Sequence, residues 1–200
     1  MNKLGVFGGT FDPVHYGHIY LVRQAVDECG LDRAMVVPAA LQPFKPERAM
    51  ASGRHRFDMA RLAFSADDKI SVSDIELKKG GVSYTVDTLA EIRHMCGADT
   101  EISFILGADA FLKIEKWKGA EELLKNYSFI IGTRPGCGRD ELDVFIERLE
   151  NVYNNKITTI KNRQTEVSST EIKRAIAAGE DLSGYIPPEV ERYIGSNGVY

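Results

Sequence analysis

A chain of 200 residues with 44% hydrophobic and 27% charged residues has the make-up of an ordinary globular protein, able to bury roughly 70% of its unfolded surface. The net charge of −4 argues against a general nucleic-acid binder, which presents a basic face, and no apolar run reaches membrane-spanning length. Cys29, Cys96 and Cys137 are odd in number and lack metal-ligand spacing, so a reducing cytoplasm is expected rather than a disulfide framework.

The apolar run Leu4-Gly5-Val6-Phe7 reads as a first strand, and it starts so early that no signal peptide is expected. A turn follows, Gly8-Gly9-Thr10-Phe11-Asp12-Pro13-Val14-His15-Tyr16-Gly17-His18, and then Ile19, Leu21, Val22, Ala25 and Val26 recur at helical spacing. Met35-Val36-Val37 is a second strand. Residues 38–53 form a long loop with three prolines, carrying Lys45 and Arg48, with Arg54 and Arg56 just beyond. Arg54 to Phe64 reads as a helix on Phe57, Ala60, Leu62 and Phe64, and Ile70 to Leu77 as a strand with one irregular step. The hydroxyl-rich Ser83-Tyr84-Thr85-Val86-Asp87-Thr88 opens a helix over Val86 to Met95. Glu101 to Leu106 is a strand running into Gly107-Ala108-Asp109, and Phe129-Ile130-Ile131 a buried strand running into residues 132–138, where Arg134 sits. A helix over Glu141 to Leu149 and a weaker strand over Ile157 to Ile160 come next. Ser169 to Ala178 is a helix ended by Gly179, and Pro187-Pro188 opens a last short one.

This alternation predicts an α/β fold: one doubly wound, mostly parallel sheet with helices on both faces, in a single domain over 1–200. Ligands in such folds sit at the carboxyl ends of the strands, where the first turn lies. A strand, a glycine-rich turn and a helix N-terminus offer backbone N–H groups and a positive dipole end to an anion. His15 and His18 add donors whose proton share changes near pH 7. As half of a metal site they would need further ligands, and His55 and His94 supply no pattern for it. Neither Gly-x-Gly-x-x-Gly nor a Walker A sequence is present, so this is a different kind of phosphate loop.

Val167-Ser168-Ser169-Thr170-Glu171-Ile172-Lys173-Arg174 has capping-box spacing at Ser168 and Glu171. It is either a well-capped surface helix or a second phosphate site, with hydroxyls in its first turn and two cations nearby. Asp109, at a strand end, could bind ribose hydroxyls or a metal ion, or cap the following helix. Trp117, the only tryptophan, is either core or a stacking surface for a planar heterocycle.

Gly9-Thr10-Phe11-Asp12-Pro13-Val14-His15-Tyr16-Gly17-His18, followed in order by Val167-Ser168-Ser169-Thr170-Glu171-Ile172-Lys173, resembles the paired signatures of the nucleotidyltransferase superfamily. Pro43-Phe44-Lys45, Tyr84-Thr85-Val86-Asp87-Thr88-Leu89, Phe104 to Asp109, Trp117 and Tyr185-Ile186-Pro187 extend the likeness, over residues 3–195, to the bacterial nicotinate-nucleotide adenylyltransferases. The resemblance implies transfer of AMP from ATP, which carries Mg²⁺, to nicotinate mononucleotide, with release of deamido-NAD and pyrophosphate. It implies no resident metal, no nucleic acid and no membrane partner, and it leaves a homo-oligomer open.

By the same resemblance Gly8, Gly9, Thr10 and Phe11 approach ATP, His15 and His18 contact its phosphates, and Gly107 and Asp109 meet the adenosine. Ser168, Ser169, Thr170 and Lys173 hold the outer phosphates, with Arg134 beside them. His15, His18 and Lys173 are the expected catalytic groups. Thr10, Lys45, Tyr84, Thr85, Trp117 and Lys118 face the mononucleotide. The chain departs from the family pattern at Phe44, usually histidine, at Lys118, usually aromatic, and at Lys173, usually arginine. An adenylyltransferase for another acceptor, such as phosphopantetheine, would leave Trp117 and residues 84–88 without a role, as would a cytidylyltransferase. A nucleotide sensor without chemistry would not need both histidines.

Overall fold

The computed structural model describes residues 2–41, 51–133, 139–161 and 167–200. Six strands, β1 (Asn2–Gly9), β2 (Arg33–Pro38), β3 (Ile70–Val72), β4 (Thr100–Gly107), β5 (Ser128–Thr133) and β6 (Ile157–Lys161), form one sheet in the order β3-β2-β1-β4-β5-β6. Every neighbouring pair is parallel. The solid apolar runs explain why: both faces of the central strands are covered, so alternation with polar residues is not needed. Leu4, Val6, Phe104, Leu106, Phe129 and Ile131 pack into one layer, and Phe7, Ile105 and Ile130 into the other.

The layer around Phe7 is closed by α1 (Tyr16–Glu28), α2 (Gly53–Ala63), α8 (Ser169–Ala178) and α9 (Pro188–Asn197). The opposite layer is closed by α3 (Ile75–Lys79), α4 (Thr85–Cys96), α5 (Ala108–Phe111), α6 (Ala120–Asn126) and α7 (Arg139–Tyr153). A Cβ on Gly132 of β5 would lie 2.5 Å from Leu21 Cδ1, so glycine there lets α1 seat close to the sheet. The chain builds outward from β1 to β3 and then returns to start β4 on the other side of β1. The carboxyl ends of β1 and β4, at Gly9 and Gly107, therefore part at the point where the winding direction reverses. Among the described residues no helix is long and apolar enough to cross a membrane.

The expected strand over Ile70 to Leu77 is corrected: it ends at Val72, and Ile75–Lys79 is helical. The irregular step at Ser73-Asp74 is the helix start, where the Asp74 carbonyl accepts from Lys78 N–H at 2.9 Å. An Asp74–Lys78 ion pair at 3.1 Å supports the turn, with the four-residue spacing of a helix. In α2 the buried face is Arg56, Met59, Ala60 and Ala63, continued by Phe64 just beyond; of the expected Phe57, Ala60, Leu62 and Phe64, Ala60 and Phe64 are buried and Phe57 and Leu62 only partly so. Phe57 is only half-buried and lies under the guanidinium groups of Arg54 and Arg61. The short elements α5 and α6 were not legible, and α7 extends beyond Glu141–Leu149 at both ends.

Arg56 explains how α2 is joined to the sheet. It is 2% exposed, and its guanidinium donates to the carbonyls of Thr10 (2.8 Å), Ala51 (3.1 Å) and Ala40 (3.3 Å). Ala40 and Ala51 flank residues 42–50, which lie outside the described residues together with Phe44 and Lys45. One side chain thus ties both flanks to the turn after β1. Burial lowers the pKa of Arg56, and the nearby Asp12 carboxylate opposes that shift. Replacing Arg56 by Met keeps the stem volume but leaves three inward carbonyls without their donor and Asp12 without its cationic neighbour. Arg56→Met is expected to lower stability by about 3 kcal/mol, the scale of removing a buried charged donor, as read from the urea midpoint at constant m value.

Candidate active site

The first turn folds back on its own glycine. Phe11 has a positive φ of 52° and is 1% exposed, with its ring lying beneath Gly9. A Cβ on Gly9 would sit 2.8 Å from that ring, so only glycine admits the arrangement. Phe11 meets His18 edge to face, with centroids 5.1 Å apart. Its side chain is thus a floor for the site, and only its backbone is available to a ligand.

His15 is the N-cap of α1, and its ring stacks on that of His18 at 3.7 Å between centroids. The His15 backbone N–H donates to Nδ1 of His18 at 3.3 Å. A nitrogen that accepts cannot carry the proton of the neutral ring, so Nε2 of His18 carries it. His15 itself is 4% exposed. The Tyr16 N–H, one of the amides expected to be open to an anion, instead donates to the Tyr185 carbonyl at 2.9 Å.

Asp12 was read from sequence only as part of a turn, yet its carboxylate is the centre of the site. At 4% exposure it pairs with Lys173 Nζ at 2.7 Å. Its other oxygen accepts from the Tyr200 hydroxyl at 2.7 Å and the Ala51 N–H at 2.9 Å. Burial and the hydrogen bond to Asp12 push the Tyr200 pKa far up, which keeps its hydroxyl protonated as a donor.

The second motif is delivered to the first by α8. Ser168 and Glu171 form the expected capping box: the Ser168 N–H donates to the Glu171 carboxylate at 2.9 Å and the Glu171 N–H to Ser168 Oγ at 3.2 Å. The Ser168 hydroxyl also donates to Glu171, at 2.7 Å, and the Ser169 hydroxyl donates to the Pro13 carbonyl at 3.1 Å. The second bond staples α8 to the turn after β1. Both hydroxyl protons are engaged within the protein in this arrangement, while Thr170 lies exposed beside them.

A cavity of about 520 Å³ opens where β1 and β4 part. Gly8 and Gly9 line it from β1, and Phe104 and Asp109 from the β4 side. Gly107 is the N-cap of α5, so Asp109 lies within the first turn of that helix rather than capping it. The far wall holds Tyr84, Thr85, Trp117 and Lys118. Trp117 is half-buried edge-on to Phe104, with centroids 6.2 Å apart, so it both joins the core and faces the cavity. Tyr84 is the N-cap of α4 but its side chain makes no capping hydrogen bond. Lys118 Nζ pairs with Asp87 at 3.1 Å and stands 4.3 Å over the Tyr84 ring.

Most of the expected residues are therefore gathered at one end of the sheet. Lys45 and Arg134 fall outside the described residues. The Thr10 carbonyl is held by Arg56. Sequence reasoning missed Arg56, Asp12, Tyr200 and Glu76. Glu76 lines the cavity and accepts from Thr88 Oγ1 at 2.6 Å. The Asp74–Lys78 spacing could have revealed the helix that carries Glu76; no local signal points from Tyr200 to Asp12.

A family model described as cytidylyltransferase-like matches residues 6–175. A relative from Thermoanaerobacter sp. (strain X514), named as a probable nicotinate-nucleotide adenylyltransferase, is 38% identical over 99% of this chain and 94% of its own length. One of the same name from Moorella thermoacetica is 35% identical over 99% of this chain and 91% of its own. The solved structure of the Plasmodium falciparum nicotinic acid mononucleotide adenylyltransferase complexed with NaAD superposes with a TM-score of 0.81, at 21% identity, over 99% of this chain and 97% of that one. By sequence over nearly its whole length, with the fold in agreement, this chain belongs to the nicotinate-nucleotide adenylyltransferases within the cytidylyltransferase-like family.

Proposed function

We propose that this chain transfers AMP from ATP to nicotinate mononucleotide, giving deamido-NAD and pyrophosphate in the synthesis of NAD. The observation that carries the reading is the joining of two halves at one sheet end. The paired histidines and Lys173 gather on the turn after β1, beside a cavity walled by Trp117 and by Tyr84 and Thr85 at the start of α4. Full-length likeness to relatives named for this activity supports it.

A phosphate oxygen of the mononucleotide attacks the α-phosphorus of ATP in line. The new P–O bond forms as the bond to the bridging oxygen of the β-phosphate breaks, and pyrophosphate leaves with the electron pair. A phosphate monoester dianion needs little help from a base, so the task is to bring two anions together and hold them in line. His18 directs the N–H of Nε2 at the α-phosphate as charge shifts there, and His15, stacked behind it, sets its orientation. Gly8, Gly9 and Thr10 let the nucleotide approach the backbone, and Asp109 with Gly107 takes the ribose.

Lys173 and the first turn of α8, at Ser168, Ser169 and Thr170, receive the outer phosphates. Since the serine hydroxyls are donating elsewhere, the backbone and the ammonium do most of this work. Lys45 and Arg134 are assigned to the same two substrates by resemblance alone. Magnesium enters as part of the nucleotide substrate and neutralises phosphate charge. Among the described residues no group of three or more His, Cys, Asp or Glu side chains is placed to hold an ion.

On the acceptor side, the pyridine ring stacks on Trp117, and its carboxylate meets the first-turn N–H groups of α4 beside Tyr84 and Thr85. Lys118 lies at the rim and shares its charge with Asp87.

Pyrophosphate release from Mg·ATP, with nicotinate mononucleotide, nicotinamide mononucleotide and phosphopantetheine supplied separately, tests the assignment. Strong release with the nicotinate compound alone is expected; release only with another acceptor would overturn the reading of Trp117 and Thr85. His18→Ala is expected to lower kcat by about two to three orders of magnitude, the scale of one preorganised donor, and near-normal turnover in the purified variant would remove His18 from the mechanism. Lys118→Ala is expected to change the preference for nicotinate over nicotinamide mononucleotide by less than about fivefold, since a solvent-exposed charge pair is worth little. A larger loss in the ratio of kcat/KM values would give Lys118 a direct role at the carboxylate.

A further inference from the structure

Asp12 joins groups from three distant parts of the chain, at Ala51, Lys173 and Tyr200, and of these only Lys173 has a part in the chemistry above. Gly198 closes α9 in the left-handed conformation and Val199 is buried, which turns the chain back toward the first motif. Tyr200 then adopts φ of 79°, a backbone region that side-chain-bearing residues rarely occupy. The residue is 42% exposed, while its hydroxyl faces inward to Asp12 Oδ1 at 2.7 Å. The other carboxylate oxygen holds Lys173 Nζ at 2.7 Å, and Lys173 Nζ also stands 5.9 Å from the centre of the Tyr200 ring. The tyrosine therefore touches both the anchor and the cation that the anchor holds.

We propose that Tyr200 is a positioning residue for the nucleotide's phosphates, acting through Asp12 on Lys173. The assignment rests on the ATP-dependent reading above. Lysine ends a flexible four-carbon stem, so it presents its charge in one place only if something fixes it there. Asp12 does so, and its opposite oxygen is set by two donors, the Ala51 N–H and the Tyr200 hydroxyl; without the hydroxyl a single bond is left to set it. The Tyr200 ring also stands beside the ammonium, 5.9 Å from it. Lysine lacks the planar fork by which an arginine would orient itself. An external brace is what this chain needs at that position.

Tyr200→Phe keeps the ring and removes only the donor. The direct readout is the dissociation constant of Mg·ATP by titration calorimetry on the wild type, Tyr200→Phe, Lys173→Ala and the double variant, with thermal melting of each. Tyr200→Phe alone is expected to weaken Mg·ATP about tenfold, the scale of one hydrogen bond to a charged group. Its melting temperature should stay within a few degrees of the wild type, and KM for the mononucleotide should be unchanged. In the Lys173→Ala background the same substitution is expected to add less than about twofold, because sites that act through one another are not additive. Full additivity, or wild-type affinity in Tyr200→Phe, would overturn the proposal. Wild-type protein that binds Mg·ATP but turns over no mononucleotide would overturn the proposed reaction alone, and the four dissociation constants would still decide the part played by Tyr200.

Discussion

A buried negative charge governs this structure. Asp12 is 4% exposed and lies close enough to buried Arg56 to influence it electrostatically. Burying a carboxylate costs several kcal/mol after relaxation and becomes tolerable only when its oxygens are met by donors. Three donors meet it, from residues 51, 173 and 200, while Arg56 distributes its own charge over three carbonyls at residues 10, 40 and 51. Neither charge can be satisfied unless the turn after β1, the start of α2, α8 and the segment after α9 arrive together. The two motifs are separated by some 150 residues of chain, and this polar cluster is what registers one against the other. The Ser169 bond to the Pro13 carbonyl adds a second point of registration.

The turn that carries Asp12 also orients the histidines. His18 is oriented by a backbone N–H at Nδ1, by the edge of Phe11 and by the face of His15. All three come from the turn itself, so the direction of the Nε2 donor is set before any ligand arrives. Preorganised donors cost no reorganisation when charge shifts in the reaction, and that is the form of catalysis best suited to transfer between phosphates. Lys173 is held by the opposite means, a flexible cation kept in place by a fixed carboxylate.

How much of this was legible depends on whether the determinant was local. β1, β2, β4 and β5 announced themselves as apolar runs and β6 more weakly, and α8 was readable to the residue because Ser168, Glu171 and Gly179 mark its ends. The Gly9 and His18 motif was likewise readable, since glycine beneath an aromatic ring and two imidazoles on one turn are short-range features. The failures share a cause. Ile70 to Leu77 alternated well enough to pass for a strand, and only the Asp74–Lys78 pair distinguished a helix. On α2, Ala60 and Phe64 lie inside as expected, but buried Arg56 was not foreseen, because its burial depends on carbonyls elsewhere in the chain. Tyr200 and Asp12 meet across nearly the whole sequence, and no pattern of residue types encodes such a meeting.

The acceptor wall follows from similar reasoning. Lys118 would seem the natural partner for a pyridine carboxylate, since it supplies positive charge beside Trp117. Yet its ammonium is already balanced by Asp87 and seated on the Tyr84 ring, and buried Glu76 adds negative charge to the same cavity. Lys113 and Lys116 line the cavity too, with Asp109 opposite in charge, so its side chains present both signs to a ligand. The start of α4 is different: the Tyr84 side chain makes no capping hydrogen bond there, and Tyr84 and Thr85 bring the positive dipole end of the helix to the cavity wall. In the proposed reaction an acid would be met by this helix start as a cap, whereas an amide would bring its own N–H donors against the helix's. Choice between the two mononucleotides would then draw on backbone at α4 as well as on the cations of the wall.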